Sequence, residues 1–324
     1  MTLPPSSKPV PVWTVGSLLT WTADFFAKKN IDEPRLSAEL LLAHVLKCSR
    51  MALYTQYEKI PGDAERAAFR TLVNQRSNHV PVAHLIGKAW FFSLEFTVTR
   101  DVLIPRPDTE TLVEFIIQQV RQHPEWSTAP TSPDTGAGAV SGSGPAILDL
   151  CTGSGIIAVS LAKQLPAATL TATDISPQAL AVAKQNADIH KVRDRITFLE
   201  GDLFAPLESA PAPTLFHIIV ANPPYIPTAQ VNDLPTGIKH HEPRLALDGG
   251  PDGLDLHRRI LATVGGRGGG AKNFLHAGGL LILEMQHDQG SALHAAFAAA
   301  GYLTHIKTIR DAASHPRCLT AVKL

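Results

Sequence analysis

From Val15 to about Asn78, apolar residues return at spacings of three and four in "SLLTWTADFFAKKN", "PRLSAELLLAHVLK" and "DAERAAFRTLVNQR", with Asn, Pro and Gly between the runs. That period predicts amphipathic helices packed as a small domain, with Leu36, Leu40, Leu41 and Val45 in its core. The next apolar stretch, "WFFSLEFTVTRDVLIP", is aromatic and β-branched with partial alternation, which predicts a hairpin bridging to a second domain. Beyond it the period changes repeatedly. "AILDL" leads to a helical "IIAVSLAKQL", "TLTATD" to "SPQALAVAKQNADIH", and "ITFLEGD" through a loop to "FHIIVAN". "GLLILEM" leads to a helical "GSALHAAFAAAG", and "LTHIKTI" and "CLTAVKL" close the chain. Short apolar strands alternating with helices predict a parallel sheet covered on both faces. Only "RDAASHPR" separates the last two strands, too little for a crossover helix, so they are expected to pair antiparallel.

Composition narrows the class without naming a chemistry. With 324 residues, 44% hydrophobic and 18% charged, the chain can bury a large domain and a smaller one. Twenty-nine basic residues balance twenty-nine acidic ones, so no broad surface for a polyanion is advertised. Cys48, Cys151 and Cys318 are far apart and form no C-x-x-C pair, which points away from a disulfide framework or zinc site and toward a reducing cytoplasm. No stretch approaches a membrane span, and the Pro-rich start, residues 1–14, is expected to be a disordered leader. Residues 127–145, small and rich in Pro and Gly, read as a flexible insertion. "GGRGGG" at 265–270 lacks the Lys-Ser/Thr ending of a phosphate loop and reads as a surface turn.

The chemistry gathers at strand ends. Open parallel sheets bind ligands beyond the carboxyl ends of their strands. There "DLCTGSG" supplies Gly153 and Gly155, which allow a tight turn and close approach beside a helix N-terminus. Asp174 ends the second strand, where a carboxylate can accept from both hydroxyls of a ribose; Asp202 and Leu203 follow the third, where an adenine could be edged and packed. Gly153 through Ala158 also fits the G-x-G-x-x-G/A of a nicotinamide dehydrogenase, so the loop alone does not choose between the two. After the fourth strand comes Asn222-Pro223-Pro224-Tyr225. Two prolines hold an extended backbone without competing N–H donors, so an Asn oxygen and a neighbouring carbonyl can together accept from one NH2 group. The blander reading is a strand terminator, since Asn and Pro are common turn residues. His240 and His241 are adjacent, so their side chains point apart, and no third residue lies at metal spacing.

Together, "DLCTGSG" and "NPPY" resemble an S-adenosylmethionine-dependent methyltransferase acting on an amide or exocyclic amine nitrogen. The whole chain resembles the HemK family, the protein-glutamine methyltransferases that modify peptide chain release factors. The resemblance is carried by "PRLSAELLLAHVL", "VLIPRPDTE", "DISPQALAVAKQNA", "NPPYIP", "HEPRLALDGGPDGLDLHRRI" and "GGLLILEMQHDQG". It implies an α/β, Rossmann-like class I methyltransferase fold, a mostly parallel seven-stranded sheet with an antiparallel last strand, preceded by a small helical domain. Helices would then fill 15–85 as a substrate-docking domain, a hairpin linker 86–105, and the methyltransferase domain 106–324. S-adenosylmethionine would be held by Cys151, Thr152, Gly153, Ser154 and Gly155, by Asp174, Asp202 and Leu203, and by Asn222. Asn222, Pro223, Pro224 and Tyr225 would bind the acceptor glutamine and catalyse transfer. Glu242, Arg244 and Asp248 would brace the active-site loop, and Arg106, Asp108 and Glu110 the domain junction.

The expected partner is the Gly-Gly-Gln loop of a class-I release factor, with no direct contact to nucleic acid or membrane. Cys151 stands where many of these enzymes have Gly, and "DLCTGSG" also occurs in relatives that methylate a glutamine of a large-subunit ribosomal protein; Pro107-Asp108-Thr109-Glu110 matches the release-factor branch. Leu203 replaces a position that is often aromatic. A dinucleotide oxidoreductase has no use for "NPPY", a nucleic-acid amine methyltransferase would be expected to carry a basic arm, and an inactive adaptor would not need residues 222–225 intact.

Overall fold

The computed structural model describes residues 12–127, 144–208, 215–265 and 273–324. Most of the leader, nearly all of the 127–145 insertion and the Gly-rich run after Gly265 lie outside them. The chain forms two compact units, Met1–Gly87 and Lys88–Leu324. Among the described residues no helix is long and apolar enough to cross a membrane.

The described residues of the first unit hold five helices, α1 (Val15–Lys28), α2 (Pro34–Leu46), α3 (Arg50–Thr55), α4 (Asp63–Ser77) and α5 (Val82–Ile86). Thr14 and Ser49 cap α1 and α3 by accepting from Ser17 N and Ala52 N, and Glu65 Oε2 accepts from Gly62 N at the start of α4. The core joins Val15, Leu19 and Phe26 of α1 to Leu41, Leu42, Leu53 and Phe69, each full burial being worth roughly 1.5–3 kcal/mol. The expected stripe of α2 is therefore only partly right. Leu41 is buried and Val45 packs at the edge of the core, but Leu36 and Leu40 are half-buried outside it. Glu39 turns inward instead, where it accepts from Arg35 Nε (2.8 Å), Arg50 Nη2 (2.7 Å) and the Tyr54 hydroxyl. Periodicity could not reveal that placement, because two of the partners that make a carboxylate tolerable inside, Arg50 and Tyr54, lie on another helix.

The second unit opens with an antiparallel hairpin, β1 (Lys88–Phe91) and β2 (Leu94–Thr97). Its turn residues Phe92 and Ser93 both adopt positive φ (50° and 60°), and Glu110 Oε1 accepts from Phe92 N at 2.8 Å. After α6 (Glu110–Gln122) come β3 (Ala146–Leu150), α7 (Ile156–Gln164), β4 (Thr169–Asp174), α8 (Pro177–Ile189) and β5 (Ile196–Glu200). One-turn helices α9 (Ala205–Glu208), α10 (Thr228–Val231) and α11 (Thr236–Lys239) flank β6 (Phe216–Ala221). Then follow α12 (Asp255–Val264), β7 (Leu275–Glu284), α13 (Gly290–Ala300), β8 (Leu303–Arg310) and β9 (Pro316–Lys323).

The sheet has seven strands in the order β5-β4-β3-β6-β7-β9-β8, and β9 runs antiparallel to both its neighbours. Alternate residues face opposite layers. Ile147, Ile218, Val220 and Ile282 pack with α6, α7 and the hairpin aromatics, whereas Leu148, Ile219, Leu281 and Leu283 pack with α12 and α13. The chain leaves β3 toward β4 and β5 on one side and later returns to add β6 on the other. That reversal opens a crevice beyond the ends of β3 and β6, where their loops must part.

Candidate active site

The loop after β3 is shaped by left-handed backbone. Cys151, Gly153 and Gly155 have φ of 58°, 56° and 81°, and Gly155 is the N-cap of α7. Gly155 lies so close to α8 that a Cβ would sit 3.0 Å from the Ala183 methyl, whereas a Cβ on Gly153 would meet nothing within 4 Å. Gly155 is needed for packing, and Gly153 faces open space.

Three side chains hold this loop. Asp149, within β3 and fully buried, accepts through Oδ2 from Thr152 Oγ1 (2.6 Å) and Ala158 N (3.2 Å), and its Oδ1 has no hydrogen-bond partner. Burial outweighs those bonds and pushes its pKa up to about 7. Asp174 accepts from Gly153 N (2.8 Å) and Ser176 N (2.9 Å), and burial raises its pKa as well. Asn186 on α8 donates to Ser154 O (2.9 Å) and exchanges hydrogen bonds with the backbone of Thr97, tying loop to hairpin. Burial followed by the nearby Asp174 and Asp149 charges lifts the Cys151 thiol far above its ordinary range, so it stays protonated.

These groups line an open cleft of about 1180 Å³, mouth included. Cys151, Thr152, Gly153 and Ser154 form one wall, Asp174 the next, then Asp202 and Leu203, then Asn222 and Pro224. Of the residues expected at the site, Gly155, Pro223 and Tyr225 do not line the cleft. Leu203 is 7% exposed with φ 50°, and its carbonyl accepts from Thr173 Oγ1. Asp202 pairs with Arg259 Nη2 at 2.6 Å. Arg259, absent from the residues expected at the site, sits within the "DLHRRI" of α12 and also borders the cleft.

The turn after β6 is built from behind. Gly249 and Gly253 allow a second loop to lie against it: a Cβ would sit 2.6 Å from Pro224 O at the first, and 2.1 Å from Tyr225 O at the second. Ile226 N donates to Leu247 O and Gly249 N to Ile226 O, and Gln289 Nε2 donates to Tyr225 O (2.8 Å). Asp248 accepts from Thr228 Oγ1 (2.6 Å) and Arg244 Nη2 (2.9 Å). Glu242, its side chain 1% exposed, accepts from Ile104 N (2.9 Å) and Arg106 Nη2 (2.6 Å). It thereby joins two rims of the cleft, since residues 101–106 and 243–246 both contribute to the wall.

Arg106, Asp108 and Glu110, expected to brace a domain junction, instead find their partners within the second unit. Arg106 pairs with Glu242, Asp108 with Arg317 (2.7 Å), and Glu110 with Phe92 N. The "PRPDTE" segment folds back over its own sheet, which its sequence distance from these partners concealed.

Asn222 is oriented by its neighbours. Its Nδ2 donates to Thr109 Oγ1 at 3.2 Å. Among the described residues, its Oδ1 and the Pro223 carbonyl accept no hydrogen bond. Thr109 in turn donates to Glu284 Oε1 (3.2 Å), to which the Tyr225 hydroxyl also points at 3.5 Å. Two acceptors on consecutive residues are therefore left without partners, and Asn222 lines the cleft whose wall carries Asp174 and Asp202. Such a place suits an NH2 group next to a positively charged ligand.

A model described as "PrmC N-terminal domain" matches residues 17–87, and one described as "Methyltransferase small domain" matches residues 140–237. The "Release factor glutamine methyltransferase" of Rhodopirellula baltica is 41% identical over 96% of this chain and 97% of its own length. Those of Chlorobaculum tepidum and Geobacter sulfurreducens are 40% and 38% identical, over 87% and 90% of this chain and 88% and 90% of their own. Among solved structures, the hMettl16 catalytic domain, in complex with the MAT2A 3'UTR hairpin 6, superposes with a TM-score of 0.50 at 15% identity. That match covers 71% of this chain and 76% of the other, a likeness of fold. The fold of the second unit is that of the class I methyltransferases.

Proposed function

The chain belongs to the release factor glutamine methyltransferases, and from that membership we propose that it methylates the side-chain amide nitrogen of the Gly-Gly-Gln glutamine in a class-I release factor. The observation that carries this reading is the oriented Asn222 amide, whose Nδ2 is engaged by Thr109 while Oδ1 and the Pro223 carbonyl stay open. A primary amide offers two N–H donors in one plane, and two adjacent acceptors match them.

S-adenosylmethionine fits the neighbouring cleft because Gly153 leaves room where a side chain would stand and because Asp174 and Asp202 present carboxylates to a cationic ligand. Cys151 through Ser154, Asp174, Asp202, Leu203 and the edge of Asn222 would hold it, with Gly155 setting the loop from behind. When bound, it supplies an electrophilic methyl group on a positively charged sulfur.

An amide nitrogen is a weak nucleophile, since its lone pair is delocalised into the carbonyl. Asn222 and the Pro223 carbonyl would fix its plane, turn its π face toward the cleft and stabilise the positive charge that grows on it. Pro223 and Pro224 keep the turn extended and free of competing donors. Tyr225 would shield the acceptor amide from water, its hydroxyl anchored toward Glu284. The nitrogen becomes strongly acidic once alkylated and can release its proton to water, so no side-chain base is needed.

The test is to incubate the purified chain with labelled S-adenosylmethionine and intact release factor, and to localise the label by mass spectrometry. Label on the loop glutamine, and none when that glutamine is replaced by Ala, is expected. Label on a large-subunit ribosomal protein instead would overturn the substrate assignment.

A further inference from the structure

Resting on that reading of Asn222, we infer that Thr109 and Glu284 form a positioning relay that fixes which end of the Asn222 amide faces the acceptor. An Asn amide can turn over, exchanging its oxygen for its NH2, with little change in shape. Turned over, it would point donors at the donors of a glutamine amide. Something must forbid that state, and the hydrogen-bond chain behind the turn does so.

The chain starts at Glu284, the last residue of β7, 1% exposed. Its Oε1 lies 3.2 Å from Thr109 Oγ1 and 3.5 Å from the Tyr225 hydroxyl, and its Oε2 is buried without a partner. Burial pushes the Glu284 pKa up to about 7. The polarity of the chain survives either protonation state. An ionised carboxylate only accepts; a protonated one with its proton on the unpartnered Oε2 still accepts at Oε1. Thr109, fully buried, has one hydroxyl proton. Giving it to Glu284 leaves only lone pairs toward Asn222, and those accept from Nδ2 at 3.2 Å. Asn222 Oδ1 is thereby turned away from Thr109.

The two links span 175 and 113 residues of sequence, so they join the "PRPDTE" segment, the end of β7 and the turn after β6. Neither Thr109 nor Glu284 lines the cleft. They act through Asn222, which makes them positioning residues rather than catalytic ones.

The test is a set of variants assayed for transfer to intact release factor. Thr109→Val keeps the shape but removes the hydroxyl, Glu284→Met removes the acceptor, and Thr109→Ser restores the hydroxyl. The relay predicts that Thr109→Val and Glu284→Met lower kcat by about tenfold to a hundredfold, leave S-adenosylhomocysteine affinity within about threefold, and are nearly silent in an Asn222→Ala background, where no amide remains to orient. Thr109→Ser should stay within about threefold of the parent.

Full activity in Thr109→Val, losses that multiply with Asn222→Ala, or a Thr109→Ser as impaired as Thr109→Val would overturn the relay. A second readout does not depend on turnover. The Asn222 side-chain NH2 signals in nitrogen-edited NMR should keep their positions in Thr109→Ser and move in Thr109→Val; unmoved signals in both would also sink the idea. If the parent chain methylates no release factor, the proposed function fails, while the NMR comparison still decides the relay.

Discussion

At the scale of single residues, the proposed chemistry rests most heavily on Asn222. Replacing it with Ala removes one oriented acceptor from a site where charge develops, and losing such a contact costs about 2.7 kcal/mol or more, roughly a hundredfold in rate. Transfer by Asn222→Ala should fall by that factor, with calorimetric affinity for S-adenosylhomocysteine little changed; near-parental turnover would remove Asn222 from the mechanism. In the proposed reading, Asp174 belongs to the ligand side of the cleft. Its two oxygens already hold Gly153 N and Ser176 N, so Asp174→Ala should both loosen the loop and withdraw acceptors from the ligand. Glu200 ends β5 with its side chain exposed and does not line the cleft. Glu200→Ala should therefore bind like the parent, and equal affinities for the parent and Asp174→Ala would exclude Asp174 from the site. The places of Asn222, Asp174 and Gly153 along the cleft were legible in the sequence because each stands at or just beyond a strand end. Asp149, Asn186, Thr109 and Glu284 were not, because what makes them matter is a partner brought near only by the sheet.

Elements were legible where one period persisted. β3, β4 and β6 carry short apolar runs, and the sequence places them within a residue of their observed ends. β7 begins at Leu275, four residues before the run that pointed to it, because Gly278 and Gly279 interrupt the apolar pattern beside a register shift against β6. α6 has no counterpart among the predicted elements, although Leu112, Val113, Ile116, Ile117 and Val120 give it a buried stripe. Its first residue, Glu110, is also the last of the Pro-rich "PRPDTE" motif, so the helix start looks like loop. The short α3 and α5 offer too few turns for a period to register. The loop between α11 and α12 gives a test at this scale. Gly253 has φ 78°, and its Cβ would fall 2.1 Å from Tyr225 O, whereas Gly153 has φ 56° with open space around it. Gly253→Ala should cost at least about 2 kcal/mol, lowering Tm by about 4 °C or more and impairing transfer. Gly153→Ala should cost only the left-handed backbone, about 1 kcal/mol, yet weaken S-adenosylhomocysteine binding by filling the cleft. Equal Tm losses for both would refute the close-approach account of the loop.

For the whole molecule, two buried carboxylates set a pH dependence, and the proposed reading gives the two units different tasks. Burial raises Asp149 and Glu284 to about 7, so through the window from about pH 4 to 7 the folded chain holds protons that the unfolded chain has released. Their contribution is full below pH about 4 and is lost as pH rises through about 7, each tenfold difference in proton affinity between folded and unfolded chain being worth about 1.4 kcal/mol. Asp149→Asn keeps an acceptor for Thr152 and Ala158 without a charge, so its Tm relative to the parent should climb between pH 5 and pH 8, and a flat difference would contradict the raised carboxyl. The helical unit raises the last question, since the cleft and its turn belong wholly to the second unit. A glutamine on a folded release factor needs a second surface to seat the body of that protein. The helical unit exposes Trp21 at 50% and Met51 at 76%, apolar side chains of the kind that anchor interfaces. In the proposed reading, Trp21→Ser combined with Met51→Ser raises KM for intact release factor by about tenfold, as loss of an interface anchor worth over 1 kcal/mol does. Transfer to a short Gly-Gly-Gln peptide, which has no body to dock, should be unchanged by the same pair. If intact factor and peptide respond alike, the helical unit's exposed apolar side chains are not where the substrate docks.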